Sequence, residues 1–412
     1  MDALARLVRD EGARVLATLV RVTGSLELAE DATQDAIERA LVTWPRDGVP
    51  DNPRAWLIVT ARRRAVDLIR REALRPQKEA LAVLPDDQTP ETDLLSLIFT
   101  CCHPALSVDA QVALSLRTLG GLTTPEVAKA LLVPEATMAK RLTRARQKIQ
   151  NARIPYRVPP DAELPSRLTG VAATVYLIFN EGYDDLRRAD LTGEAIRLAR
   201  MLAGLMPDEP TALGLLALLL LHDSRRAARL DAAGRPVLLA DQDRSGWDRA
   251  AIREGVTVLG TALRRSPDRP DRYAVQAAIA ACHALAPSYA QTAWDAVISW
   301  YDVLLTVQDT PVVRLNRAAA VAERDGPSAG LALVDGLSGL ESYPYWHATR
   351  AELLARLSRP VEAGAAYSAA LSLELSEPRR AHLEARRAAV SASFQPRVSG
   401  DHHRDRHGTS AG

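Results

Sequence analysis

A chain of 412 residues is long enough for two to four domains that each bury their own core. Its 52 Lys plus Arg almost balance 51 Asp plus Glu, for a formal charge of +1, which excludes a global basic excess and confines any nucleic-acid binding to local patches. Three cysteines, two of them adjacent at Cys101 and Cys102, exclude a disulfide framework and suit a reducing compartment. The first residues carry no apolar signal core, and the most apolar run, Leu213 to Leu221, falls far short of a membrane span, so a soluble, cytoplasmic protein is expected. Aromatics at 4% and long Ala-, Leu- and Arg-rich stretches without strand alternation predict an all-α fold.

Residues 2–44 predict two helices divided at Val22-Thr23-Gly24-Ser25. The first lines one face with Leu4, Leu7, Val8, Val15, Leu16 and Leu19. The second, Leu26 to Trp44, places Leu28, Ala32, Ile37 and Leu41 inside, with Glu27, Glu30, Asp31, Asp35 and Glu38 outside against Arg39 alone. Such an acidic face is ordinarily just solvated, and docking is the sharper alternative. Pro45 to Pro53 reads as a loop. A third helix, Arg54 to Leu74, presents Arg54, Arg62, Arg63, Arg64, Arg70, Arg71 and Arg75 against Asp67 and Glu72, with Trp56 near its start. Arginines beside an aromatic can hold a nucleic-acid backbone while bases stack or are drawn from the duplex, although Trp56 taken singly reads as core. A linker over 76–93, with Pro76, Pro85 and Pro90, follows.

Leu94 to Ser107, LLSLIFTCCHPALS, is an apolar helix ended by His103-Pro104. Cys101, Cys102 and His103 have no second Cys or His pair at ligand spacing, so they read as core packing rather than a zinc site. In Leu119 to Gln150, Thr123 or Thr124 can cap a helix with Pro125 in its first turn and Glu126 answering the cap, and Val133-Pro134 ends it. A second helix from Pro134 carries Met138, Leu142, Ala145 and Ile149 at spacings of four, three and four, one apolar stripe, with Lys140, Arg141, Arg144 and Lys148 opposite. Charged outer faces are common on any helix pair. Here seven basic residues against the single acid Glu135 between Pro134 and Arg157, on the second of two short helices, describe a helix-turn-helix whose second helix enters a DNA major groove.

Three stretches, LELAEDATQDAIERAL (26–41), PRAWLIVTARRRAVDLIRR (53–71) and TTPEVAKALLVPEATMAKRLTRARQKI (123–149), resemble the extracytoplasmic-function (ECF) sigma factors of the sigma-70 family. The resemblance implies two small helical sigma domains, region 2 over 1–75 and a region 4 helix-turn-helix over 94–154, working with core RNA polymerase and promoter DNA. It implies that Glu30, Asp31, Gln34 and Asp35 dock on the polymerase β′ clamp helices and that region 4 meets the β flap. Asn52, Arg54, Trp56, Arg62, Arg63, Arg64 and Arg70 become candidates for the −10 element, which is also melted, and Thr137, Lys140, Arg141, Arg144 and Lys148 for the −35 element. Many family members have a glycine in the turn before the second helix, where Leu132 and Val133 stand here. ALLVPEATMAKRL together with LLSLIFTCCHPALS resembles the subgroup with a large tetratricopeptide-like C-terminal extension.

Ile154 to Pro165 reads as a linker into a helical extension over 155–285. Its apolar run, Arg167 to Leu186, ends in Asn180, Glu181, Tyr183 and Asp184; YLIFNEGY shares the subgroup resemblance and makes Asn180, Glu181 and Tyr183 regulatory candidates. Glu181 with Asp223 or Asp241 could form an acid/base pair. No nucleophile motif, phosphate-cradling loop or metal-ligand set accompanies them, so ion pairs and helix caps are the better reading, with no cofactor, no metal and no enzymatic activity expected. A 33-residue offset matches Arg317 with Arg350, Ala318 with Ala351, Pro327 with Pro360, Ala332 with Ala365 and Val334 with Tyr367, predicting tetratricopeptide-like helix pairs over 286–396 that stack into a groove for a peptide or protein. The tail 397–412, with His402, His403 and His407, reads as disordered. The expected function is an ECF sigma factor controlled through its fused helical domain. The alternatives are a stand-alone helix-turn-helix regulator with a ligand- or protein-sensing domain and, more weakly, an enzyme using Glu181, Asp223 and Asp241.

Overall fold

The computed structural model describes residues 2–71, 90–131, 133–184, 189–231, 235, 237–375 and 377–393. Most of the expected linker (residues 76–89), Leu132 in the turn and the tail 397–412 lie outside the described residues. Among the described residues there are eighteen α-helices and no β-sheet, and no helix is long and apolar enough to cross a membrane. The helices fall into two compact units, one of residues 1–224 with 248–284, the other of 225–247 with 285–412.

The first unit opens with α1 (Asp2–Thr23) and α2 (Leu26–Asp47). They part at Gly24, whose φ of +65° few side chains tolerate, and Ser25 caps α2 by accepting the Leu28 N–H at 3.3 Å. Two expectations about α2 are corrected. It runs past Trp44 and takes Pro45 into its last turn, where the missing N–H deprives only the carbonyl of Leu41, a 44% exposed residue that water can serve. Its buried stripe is also Leu28, Ala29, Ala32, Ala36 and Ala40, while Ile37 is half-buried and Leu41 exposed. Alanine side chains let α2 lie close against α1 and α3 (Pro53–Arg71), whose Leu57, Ala61 and Ala65 are fully buried.

Then come α4 (Pro90–Cys101), α5 (Val108–Thr118), α6 (Thr124–Ala130) and α7 (Glu135–Asn151). Cys101 and Cys102 are buried, as their apolar surroundings imply, and burial pushes the Cys101 thiol well up and the Cys102 thiol up. The thiolate is the reactive species, so Ellman's reagent should titrate at most one thiol in the folded chain, the half-buried Cys282, and all three after denaturation. Fast reaction of two thiols in the folded chain would contradict this packing.

The extension supplies α8 (Leu164–Asp184), α9 (Ala189–Leu205), α10 (Pro210–Asp223), α11 (Arg249–Arg265) and α12 (Arg272–Leu285). The apolar run 213–221 is a helix buried along its whole length in α10. Gly214 is the point of closest approach: a Cβ there would stand 2.6 Å from the Ala274 backbone nitrogen of α12. Gly214→Ala must therefore push two helix backbones apart. It is expected to cost about 1–3 kcal/mol, read as a lower melting temperature, despite alanine's better helix propensity.

In the second unit α13 (Trp294–Val307), α14 (Pro311–Asp325), α15 (Pro327–Asp335), α16 (Pro344–Arg356), α17 (Pro360–Leu371) and α18 (Glu377–Ser393) follow two short 3₁₀ turns. The 33-residue offset is physical. Arg317 donates to Asp302 at 2.6 Å and Arg350 to Asp335 at 2.6 Å, the same bond one repeat apart, and Ala318, Ala351, Val334 and Tyr367 are all buried. The Tyr367 hydroxyl donates to Glu352 at 2.9 Å, and burial beside that carboxylate pushes its phenol up to about 12.

Candidate nucleic-acid interface

Within α6 and α7 the local sequence dictates the geometry. Thr123 accepts the Glu126 N–H at 3.4 Å while Glu126 accepts the Thr123 N–H at 2.7 Å, a closed capping box that starts α6. The Val133 N–H bonds the Ala128 carbonyl at 2.9 Å across the turn, and Pro134 sits at the start of α7. Met138, Leu142, Ala145 and Ile149 are all buried, the predicted stripe. That fixes the opposite side: Thr137, Lys140, Arg144 and Lys148 are exposed, and half-buried Arg141 stands 3.5 Å from Asp109 at the start of α5. All five line one open cleft of about 410 Å³ between α5 and α7, a basic surface that a phosphate backbone or base edges can enter.

The arginine helix α3 is less uniform. Asn52 is exposed and accepts the Ala55 N–H at 3.0 Å, which begins the helix. Arg54 donates to Glu11 of α1 at 2.5 Å, and Arg64 pairs with Asp35 of α2. Arg62 is half-buried and Arg63 exposed, whereas the side chain of Arg70 lies outside the described residues. Trp56, read singly as core, is only half-buried; it meets the buried Trp44 edge-on at 5.3 Å.

On α2 the four expected docking residues do not form one free face, which corrects the sequence reading. Glu30 is 8% exposed. Its Oε1 accepts from the Thr118 hydroxyl of α5 at 3.1 Å and its Oε2 pairs with Arg146 of α7 at 2.6 Å. Gln34 is exposed and accepts from Arg117 at 3.4 Å, and Asp35 is taken by Arg64. Asp31 remains at the surface; its carboxyl is pushed above the usual range by partial desolvation and then by Glu27. Sequence reading missed Arg117, Thr118 and Arg146. A signal existed for Arg146, which sits four residues after Leu142 and three before Ile149, on the border of the apolar stripe.

The extension braces this assembly. Arg167 of α8 donates to the Phe99 carbonyl at 2.7 Å, Thr174 to buried Gln111 at 3.1 Å, and Arg197 of α9 to the Leu119 carbonyl. Of the regulatory candidates, Asn180 is half-buried, Glu181 exposed, and Tyr183 half-buried, stacked on Phe179 at 5.3 Å and edge-on to His222 at 5.6 Å. Glu181 and Asp223 belong to the first unit and Asp241 to the second. Nearby acids serve as caps: Asp243 accepts the Ser245 N–H at 2.9 Å, and Asp248 those of Ala250 and Ala251.

Residues 7–75 match the family described as Sigma-70 region 2, residues 96–149 the family Sigma-70, region 4, and residues 167–263 a family of unknown function, DUF6596. An uncharacterized protein of Rhizobium meliloti (strain 1021), R00370, is 42% identical over 389 residues, covering 90% of this chain and 92% of its own length. The ECF RNA polymerase sigma factor SigK of Mycobacterium sp. (strain KMS) and that of strain JLS are each 29% identical over 154 residues, 34% of this chain and 78% of theirs.

Proposed function

The chain belongs to the ECF-type sigma factors of the sigma-70 family, with a C-terminal DUF6596 extension, and from that premise we propose how its parts divide the work. It is an RNA polymerase sigma factor, a class that works with core polymerase and promoter DNA and is not enzymatic. In the proposed division, Asp31, Gln34 and Asp35 on α2, with Glu30 once released, dock on the β′ clamp helices, and region 4 meets the β flap. The Pro45–Pro53 segment and α3 read and melt the −10 element through Asn52, Trp56, Arg62, Arg63 and the remaining arginines. Thr137, Lys140, Arg141, Arg144 and Lys148 read the −35 element. Control passes through the fused extension, and the groove of the second unit receives an unidentified protein or peptide.

The observation that supports this best is the separation of faces on α7: four apolar residues buried, and five polar or basic ones along a single cleft of a chain that also carries region 2. The test is in-vitro transcription with purified core polymerase and a pool of genomic promoters. The chain should confer promoter-specific initiation and bind those promoters weakly without core enzyme. Tight, sequence-specific duplex binding by the chain alone, with no effect on core polymerase, would instead indicate a stand-alone helix-turn-helix regulator.

A further inference from the structure

Resting on the reading of the second unit's groove as a receptor for a protein or peptide, we propose that its occupant is an extended segment of a partner protein in which acidic side chains alternate with apolar ones. The groove encloses about 600 Å³, and every residue that lines it belongs to the second unit. Part of its apolar lining comes from the loop ahead of α13. There the Asp241 N–H bonds the Leu238 carbonyl at 2.9 Å and the Gln242 amide donates to the Val237 carbonyl at 3.0 Å, closing a turn that holds Leu238 and Leu239 in the lining. Leu238 is 43% exposed at this concave surface, and Leu239 is half-buried. An apolar side chain left open on a fixed turn inside a groove gains by being covered.

The charged lining is asymmetric. Two carboxylates contribute, and each already holds a guanidinium and a phenol: Glu323 accepts from Arg356 at 2.5 Å and bonds Tyr289, while Glu352 accepts from Arg386 at 2.6 Å and from Tyr367 at 2.9 Å. A third guanidinium, that of Arg379 on α18, lies over the Tyr345 ring of α16, 4.8 Å from its centroid, which fixes a planar set of donors in the lining. Burial, and then Arg386, hold the His382 imidazole below its usual range, so at neutral pH it adds no charge to the count. Three guanidiniums against two bonded carboxylates leave the lining one positive charge in excess. A basic partner would be repelled, and an acidic side chain is drawn in.

Size decides the conformation of the occupant. A helix with its side chains is about 10–12 Å across, so a volume of this order takes barely one turn of it. An extended strand, about 4.8 by 10 Å in section and rising about 3.3 Å per residue, runs through the same volume for about four residues. Successive side chains of a strand point to opposite sides. A segment that alternates apolar and acidic residues therefore offers one side to Leu238, Leu239 and their apolar neighbours and the other to the guanidiniums. Neither a wholly apolar nor a wholly acidic segment satisfies both parts of the lining.

The test pans a phage-displayed library of random decapeptides on the full chain. The enriched sequences should place aspartate or glutamate between leucine, isoleucine, valine or aromatic residues. The foremost of them, made with acetylated and amidated ends and a fluorescent label, is then titrated by anisotropy. Arg379→Glu and Leu238→Asp should each weaken its binding by about tenfold or more, because each sets a like charge against the peptide, whereas Arg379→Lys should stay within about threefold of the parent. One variant lies in a loop and the other on a helix, so if the melting temperature shows that either unfolds, the other still reads the groove. Enriched sequences that require Leu238 but carry no acid would overturn the acidic chemistry and leave the groove a peptide receptor. Binding that both substitutions leave unchanged, or that needs a free C-terminal carboxylate, would also overturn the proposal. If no sequence is enriched at all, the reading of the groove as a receptor fails with it.

Discussion

Replacing Arg144 and Lys140 together by alanine should lower −35-dependent transcription by roughly a hundredfold or more while leaving the melting temperature within a degree or two of the parent. Both side chains are exposed on α7, away from the four residues it buries, so the fold loses little. A good base contact discriminates by about 1–3 kcal/mol, and 1.4 kcal/mol is a factor of ten, so two lost contacts multiply to a loss of that size. Leu142→Ala, between them in sequence and on the buried side, should do the reverse: about 2–5 kcal/mol of stability lost through the cavity, with DNA contacts impaired only as the helix melts. Salt separates the roles further. If Lys140 meets a phosphate, the slope of log affinity against log salt should fall by about 0.9, whereas a base-reading Arg144 should relax sequence preference at one position. A double variant that transcribes like the parent would remove α7 from −35 recognition.

How much of this was legible depended on whether a residue's fate is set by its own helix. The capping box at Thr123 and Glu126, the stripe from Met138 to Ile149 and the repeated Asp–Arg bonds of the second unit are local or periodic, and sequence spacing found them or their frame. The α2 stripe was misread because apolar bulk drew Ile37 and Leu41 inward, while the structure buries four alanines whose value lies in being small. Glu30 was misread for a different reason. A carboxylate is buried only when partners satisfy it, and its partners lie 88 and 116 positions away, as read from Thr118 and Arg146, where no local pattern could reveal them. Arg54 and Arg64 follow the same rule. Each sits on a basic face by periodicity, yet Glu11 and Asp35 on neighbouring helices engage them.

Ending the chain after Pro160 should damage region 4 itself, beyond removing a regulator. The notion of an independent promoter-reading module with a separable extension conflicts with the packing: α8 and α9 cover α4 and α5, Arg167 lies over the Phe99 ring and bonds its carbonyl, and Thr174 satisfies the buried Gln111 amide. Covering one large apolar side chain is worth about 1.5–3 kcal/mol, so uncovering even two costs roughly 3–6 kcal/mol. For a domain of this size that is about 10 °C or more in melting temperature. A chain ended after Ala286 keeps every helix of the first unit and should retain a cooperative transition near that of the full-length protein. Promoter output should follow the same order, with the Pro160 form failing through instability and the Ala286 form transcribing but losing any control that the second unit's groove exerts. Equal melting temperatures and unchanged output and induction for the Pro160 form would mean that α8 and α9 rest on region 4 without supporting it.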